Sequence, residues 1–167
     1  MSKTAIFYGS STGVAESVAE KLAEKLNASI LNVADNPTSE LTNHDVLIFG
    51  TSTTGFGELQ DDWASFISEV KDADLTGKTI AIFACGDSAS FSDSFVGSMD
   101  EIYKEIKDKD CDIIGFTETD GYDFNESPSV HDGKFVGLAI DDMNQSDLTD
   151  ERIDNWVSLL KTESDKL

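Results

Sequence analysis

From end to end, the chain alternates short β-branched and aromatic runs with amphipathic helical stretches, and few folds accommodate that alternation. Residues 4–9, 29–33, 46–51, 78–85 and 112–117 read as strands of a parallel sheet covered on both faces. Between them Val14, Val18, Leu22 and Leu26 recur every fourth residue, and Trp63, Phe66, Ile67 and Val70 follow i, i+3, i+4, i+7. Each series makes one apolar helix face. A further helix carries Ile102 and Ile106. The last has Thr149 as its expected cap and Asp150 and Glu151 in the first turn, where the helix dipole favours acids. Its inward face is Ile153, Trp156, Val157 and Leu160, so Trp63 and Trp156 both read as core. The pattern predicts a doubly wound α/β domain, and 167 residues suit a single such domain spanning 1–167.

One segment breaks the rhythm. Residues 118–133, "ETDGYDFNESPSVHDG", hold turn formers with Tyr122 and Phe124, after which residues 134–140 regain strand character. The fifth strand is therefore expected to be interrupted by an insertion. Its aromatics either help recognise partners or cover the sheet edge. Cys85 and Cys111 lack C-x-x-C spacing and the chain has two histidines, which suggests neither a disulfide framework nor a zinc site. Both cysteines read as small core hydrophobes, and His44 and His131 as surface loop residues. With 12 basic and 33 acidic residues the net charge is −21, a surface that repels nucleic acid and anionic lipid and attracts basic proteins. No stretch approaches the roughly 20 apolar residues of a membrane span, and Met1-Ser2-Lys3 leads straight into strand-like sequence. The expectation is a cytoplasmic monomer, with no nucleic-acid or membrane partner.

In open α/β sheets ligands bind beyond the carboxyl ends of the strands, so three loops hold the interest. Ser10, Ser11, Thr12, Gly13, Val14 and Ala15 run from the first strand into a helix, whose N-terminal N–H groups and dipole collect an anion. The hydroxyls add donors, and no lysine is present, so this is neither a Walker loop nor a GxGxxG fingerprint. A phosphate monoester held by neutral donors fits, as does a capped turn with no ligand. Thr53, Thr54, Gly55, Phe56 and Gly57 follow the third strand; Cys85, Gly86, Asp87 and, further on, Phe91 follow the fourth. Together the three loops offer a phosphate cradle and a slot for a flat ring. Asp87 beside Gly86 reads as a turn former bonding its own backbone, with a site acid as the alternative.

The sequence resembles a flavodoxin of the long-chain type over nearly its whole length. The resemblance rests on "FYGSSTG", "GELQDDW", "TDGYDFNES", "GKFVGLAID" and "NQSDLTDERIDNW". It implies a flavodoxin-like three-layer sandwich with strand order 2-1-3-4-5. It also implies non-covalent FMN and low-potential one-electron transfer between a reductase or other donor and acceptor enzymes, without substrate turnover. Ser10 to Ala15 match the family's phosphate loop, Thr53 to Gly57 one side of the isoalloxazine and Cys85 to Phe91 the other. This chain departs from the pattern in carrying Val14 and Ala15 where a polar residue and a threonine are usual, Thr54 where a tryptophan commonly covers the ring, and Phe91 for the stacking tyrosine. The lost hydroxyl bond predicts weaker FMN binding, by about 1.5–3 kcal/mol. Gly55 stands where a peptide can turn its carbonyl towards flavin N5 and favour a neutral semiquinone. Two rival readings are an FMN-dependent reductase taking hydride from a nicotinamide, and a diverged binding module with little or no FMN. A phosphoacceptor domain needs acids where this chain reads Gly9-Ser10 and Gly50-Thr51.

Overall fold

The computed structural model describes residues 3–167, so Met1 and Ser2, read above as leading into the first strand, lie outside the described residues. In chain order the elements are β1 (Thr4–Gly9), α1 (Val14–Leu26), β2 (Ser29–Asn32), β3 (Val46–Thr54), β4 (Glu58–Leu59), α2 (Asp61–Asp72) and β5 (Thr79–Cys85). They continue with α3 (Ser98–Ile106), β6 (Asp112–Ile114), β7 (Thr117–Glu118), β8 (Val130–His131), β9 (Lys134–Phe135), β10 (Leu138–Ile140) and α4 (Thr149–Glu163). The central sheet is parallel and runs β2-β1-β3-β5-β10, with β6 beside β5 and the short β4 folded back antiparallel on β3. This is the expected 2-1-3-4-5 order, the fifth position being shared by β6 and β10, which pair with opposite ends of β5.

Strand alternation separates two cores. Ala5, Phe7, Leu47 and Phe49 face α2 and α3, where Trp63, Phe66, Val70, Met99 and Ile102 meet them. Ile6, Ile48 and Phe83 point the other way, onto Val18 and Leu22 of α1 and Ile153, Trp156 and Leu160 of α4. Both tryptophans are core, at 0% and 1% exposure, and each indole finds the partner that burial demands: Trp63 Nε1 donates to Gly50 O at 2.7 Å and Trp156 Nε1 to Gly115 O at 2.8 Å. Close packing also explains Gly50, since a Cβ there would lie 2.0 Å from the Phe83 ring.

The insertion is larger and more ordered than the predicted loop. The fifth strand stops at Ile114 because Gly115 turns to φ +86, and β7, β9 and β8 form a separate three-stranded antiparallel sheet. Lys134 and Phe135 belong to that sheet, so the predicted strand over 134–140 divides and the main sheet resumes only at Leu138. Tyr122 and Phe124 pack on Phe95 and Phe135, with ring centroids 5.1–5.9 Å apart, and Tyr122 Oη donates to Ala139 O at 2.7 Å. These aromatics cover the core; burial pushes the Tyr122 phenol up to about 12.

Four smaller readings are corrected. Val33 leaves the second strand for a single helical turn capped by Asn32, whose side chain accepts from Ala34 N–H at 2.9 Å. Thr149 is the first residue of α4, preceded by Leu148 at the cap, and its hydroxyl donates to Asp142 Oδ1 at 3.0 Å. His44 is buried, 3% exposed, with Nε2 2.8 Å from Glu40 Oε2; His131 is exposed but lies in β8. Of the cysteines Cys85 is buried and Cys111 only half-buried.

Candidate functional site

The order reverses between β1 and β3, and the loops leaving their carboxyl ends diverge to open a crevice. A cleft of about 230 Å³ lies there, lined by Ser11, Thr12 and Val14 from the first loop, Ser52, Thr53 and Thr54 from β3, and Cys85, Gly86, Asp87 and Phe91 after β5. Ser94, Phe95 and Val96 close one side and Asp142 and Met143, which follow β10, another. The volume falls below the roughly 300–1,000 Å³ of pockets that enclose a whole ligand.

The first loop leaves donors unspent at the start of α1. Ser10 Oγ accepts from Gly13 N–H at 3.0 Å, and Gly13 at φ 92 turns the chain into α1 without any side-chain cap. The first-turn N–H groups of α1 are therefore open to a ligand. Ser11 N–H reaches Ser52 Oγ at 3.4 Å, tying this loop to the second. The second loop is a hairpin: Thr53 and Thr54 pair with Leu59 and Glu58, and the turn Gly55-Phe56-Gly57 needs φ +51 and +88 at its glycines, which L side chains rarely adopt. Thr54 Oγ1 donates to Leu59 O at 3.0 Å and Thr53 Oγ1 lies 2.6 Å from Ser98 Oγ.

In the third loop Asp87 behaves as the turn former expected. Its Oδ1 accepts from Ala89 N–H at 3.2 Å and Ser90 N–H at 3.1 Å, and also from Asn144 Nδ2 at 2.9 Å. The Asn144 bond, foremost, holds its carboxyl below the usual range. Burial, with Asp142 adding, pushes the Cys85 thiol well up, which disfavours the thiolate. Across the mouth Phe56 and Phe91 meet edge to face, centroids 6.2 Å apart.

Of the residues singled out from sequence, nine line the cleft: Ser11, Thr12, Val14, Thr53, Thr54, Cys85, Gly86, Asp87 and Phe91. Ser10 and Gly13 shape the first loop from behind it and Gly55 and Gly57 shape the hairpin. Ala15 is fully buried against the core, and Phe56 is 83% exposed, beside the mouth and outside the lining. Sequence reasoning missed Ser94, Phe95, Val96, Asp142 and Met143, whereas Ser52 opens the second loop it read after the third strand. The rule that picked out the loops after strands one, three and four, applied also to the resumed fifth strand, finds Asp142 and Met143. Among the described residues the lining contains no lysine or arginine.

Residues 6–156 match the family model described as Flavodoxin. The chain is 42% identical to a Nostoc sp. flavodoxin over 164 residues, 96% of each chain. It is 41% identical to Flavodoxin 1 of Azotobacter vinelandii over 170 residues, 98% of each. Its fold is similar to that of Fusobacterium nucleatum flavodoxin bound to flavin mononucleotide, with TM-score 0.90, 32% identity and coverage of 96% of this chain and 97% of that one.

Proposed function

The chain belongs to the flavodoxin family, and from that premise we propose that it binds FMN in the cleft at the switch point and works as a one-electron carrier, not an enzyme. The observation that carries the reading is the junction of an uncapped, hydroxyl-rich helix N-terminus with an apolar slot at one sheet edge. The residues fit the cofactor. Ser10, Ser11, Thr12 and the first N–H groups of α1 would hold the phosphate through neutral donors. The hairpin at Thr53, Thr54 and Gly55 would bound one side of the ring, and Gly86, Asp87 and Phe91 the other. FMN when bound supplies the one-electron chemistry. The protein supplies binding, orientation and field: Val14, Phe91 and Met143 offer the slot apolar surface, and the −21 charge makes added negative charge costly.

The function acts through partner proteins that donate and accept electrons. Their docking faces are basic, complementing this surface, and they include a flavodoxin reductase or equivalent donor and acceptor enzymes. The working unit is one cytoplasmic domain acting as a monomer. Among the described residues no helix is long and apolar enough to cross a membrane. A lining without lysine or arginine disfavours a second nucleotide and so the reductase reading.

Titrating FMN into the flavin-free protein tests the proposal. Quenching of flavin fluorescence with one-to-one stoichiometry is expected, with affinity weaker than low-nanomolar because neither Val14 nor Ala15 supplies a hydroxyl. No quenching at millimolar protein overturns the FMN reading, and a low-nanomolar or tighter constant overturns the assigned effect of Val14 and Ala15.

A further inference from the structure

Behind the cleft, the third loop and the segment after β10 are joined by a buried acid that does not itself line the site. Asp141 follows directly on β10 and is 1% exposed. One carboxyl oxygen accepts from Ser88 Oγ, and Ser88 is itself 4% exposed. The other accepts from Asn144 N–H at 3.3 Å and from Asn144 Nδ2 at 2.9 Å. That same Nδ2 reaches Asp87 Oδ1 at 2.9 Å. Among the described residues Asp141 forms no ion pair. An acidic side chain buried this deeply is unfavourable unless hydrogen bonds satisfy it. Here every bond goes to the two segments that carry Phe91 and Met143.

We propose that Asp141 is a positioning residue for the outer wall of the cleft, clasping the Asp87-Ser88 turn to the Asp142-Met143 segment so that Phe91 and Met143 meet the ring from fixed positions. The ligand in this statement rests on the FMN reading; the clasp does not. The clasp bears chiefly on the ring, because none of its hydrogen bonds reaches residues 10–15.

Asp141→Asn keeps the shape but removes the charge and turns one carboxyl oxygen into a donor, so Ser88 Oγ can only accept there and the charge-assisted bonds to Ser88 and Asn144 become weaker neutral ones. The expected result is an equal weakening of FMN and riboflavin binding, about tenfold for each. Ser88→Ala gives part of that loss, and the double variant no more than Asp141→Asn alone. In the flavin-free protein, amide hydrogen exchange quickens at 86–91 and 141–145 and is unchanged at 10–15. Should Asp141→Asn fail to fold, Asn144→Ala, at an exposed position, opens the same clasp and is held to the same readouts. Unchanged constants for both flavins, a loss confined to FMN, or faster exchange across the whole chain overturns the proposal. If the unsubstituted protein quenches no flavin fluorescence, the FMN reading fails by itself, and the exchange pattern alone decides the clasp.

Discussion

Gly55→Ala isolates what the hairpin beside the cleft demands of its backbone. Gly55 sits at φ +51, and a Cβ there meets nothing closer than the exposed Glu58 carboxylate at 3.4 Å. Space is available, so the cost is conformational: about 1–2 kcal/mol for an L residue in the left-handed region. For a chain of this size each kcal/mol lowers the midpoint of thermal unfolding by about 2–4 °C, which gives roughly 2–8 °C for the flavin-free protein. Gly57 provides the internal contrast. It sits at φ +88, and a Cβ there would stand 3.3 Å from both Gly97 Cα and Ser94 O, backbone atoms that cannot swing aside. Overpacking then adds about 1–3 kcal/mol to the conformational cost. Calorimetric or circular-dichroism melts of the two variants should therefore rank Gly57→Ala below Gly55→Ala, and both below the parent. Equal melting of Gly55→Ala and the parent, or the reverse ranking, would refute the argument. With flavin bound, a one-electron-reduced state that forms to the same extent in Gly55→Ala and the parent removes Gly55 from the redox account.

Three further predictions concern the loops. Val14 is half-buried and lines the cleft, so the near-isosteric Val14→Thr adds a hydroxyl donor at the cleft and tightens FMN binding about tenfold, from the lower bound of a bond to a charged group, with riboflavin unchanged; parallel titrations of both flavins check it. Asp87 is held below its ordinary value near 3.8, chiefly by Asn144. A depressed carboxyl contributes stability that is complete above the ordinary value and is lost as pH falls through the lower folded value. Asn144→Ala is expected to raise the Asp87 midpoint and to bring the acid loss to higher pH, read by carboxyl NMR titration and acid unfolding. Burial raises the Cys85 thiol while Cys111 is only half-buried; iodoacetamide at pH 8 should therefore alkylate Cys111 first in the native protein, and mass mapping shows the order.

The sheet was legible because its strands are short apolar runs separated by helices whose apolar residues recur at helical spacing. Those periods fix which face each element buries, and Trp63 and Trp156 fell where the periods put them. What the periods could not carry was anything set by a partner distant in sequence. Phe135 and Leu138 look alike in a run of apolar residues, yet one pairs with Thr117 and the other with Phe83. His44 has the composition of a loop residue, but Glu40 and the core around it take it inside. In the site, hydroxyls and glycines beside strand ends were visible because their chemistry is local. Asp142 and Met143 were passed over because the insertion drew the reading away from the end of the resumed strand they follow, and Asp141 had no signal at all without the fold that brings Ser88 to it.

Stepwise anaerobic reduction of the FMN-loaded protein, followed by its visible spectrum and potential, bears most directly on the electron-carrier assignment. Two resolved one-electron steps are expected, the second at low potential and shifting upward as added salt screens the acidic surface. Direct two-electron bleaching with no one-electron species between, or a second step indifferent to salt, would contradict it.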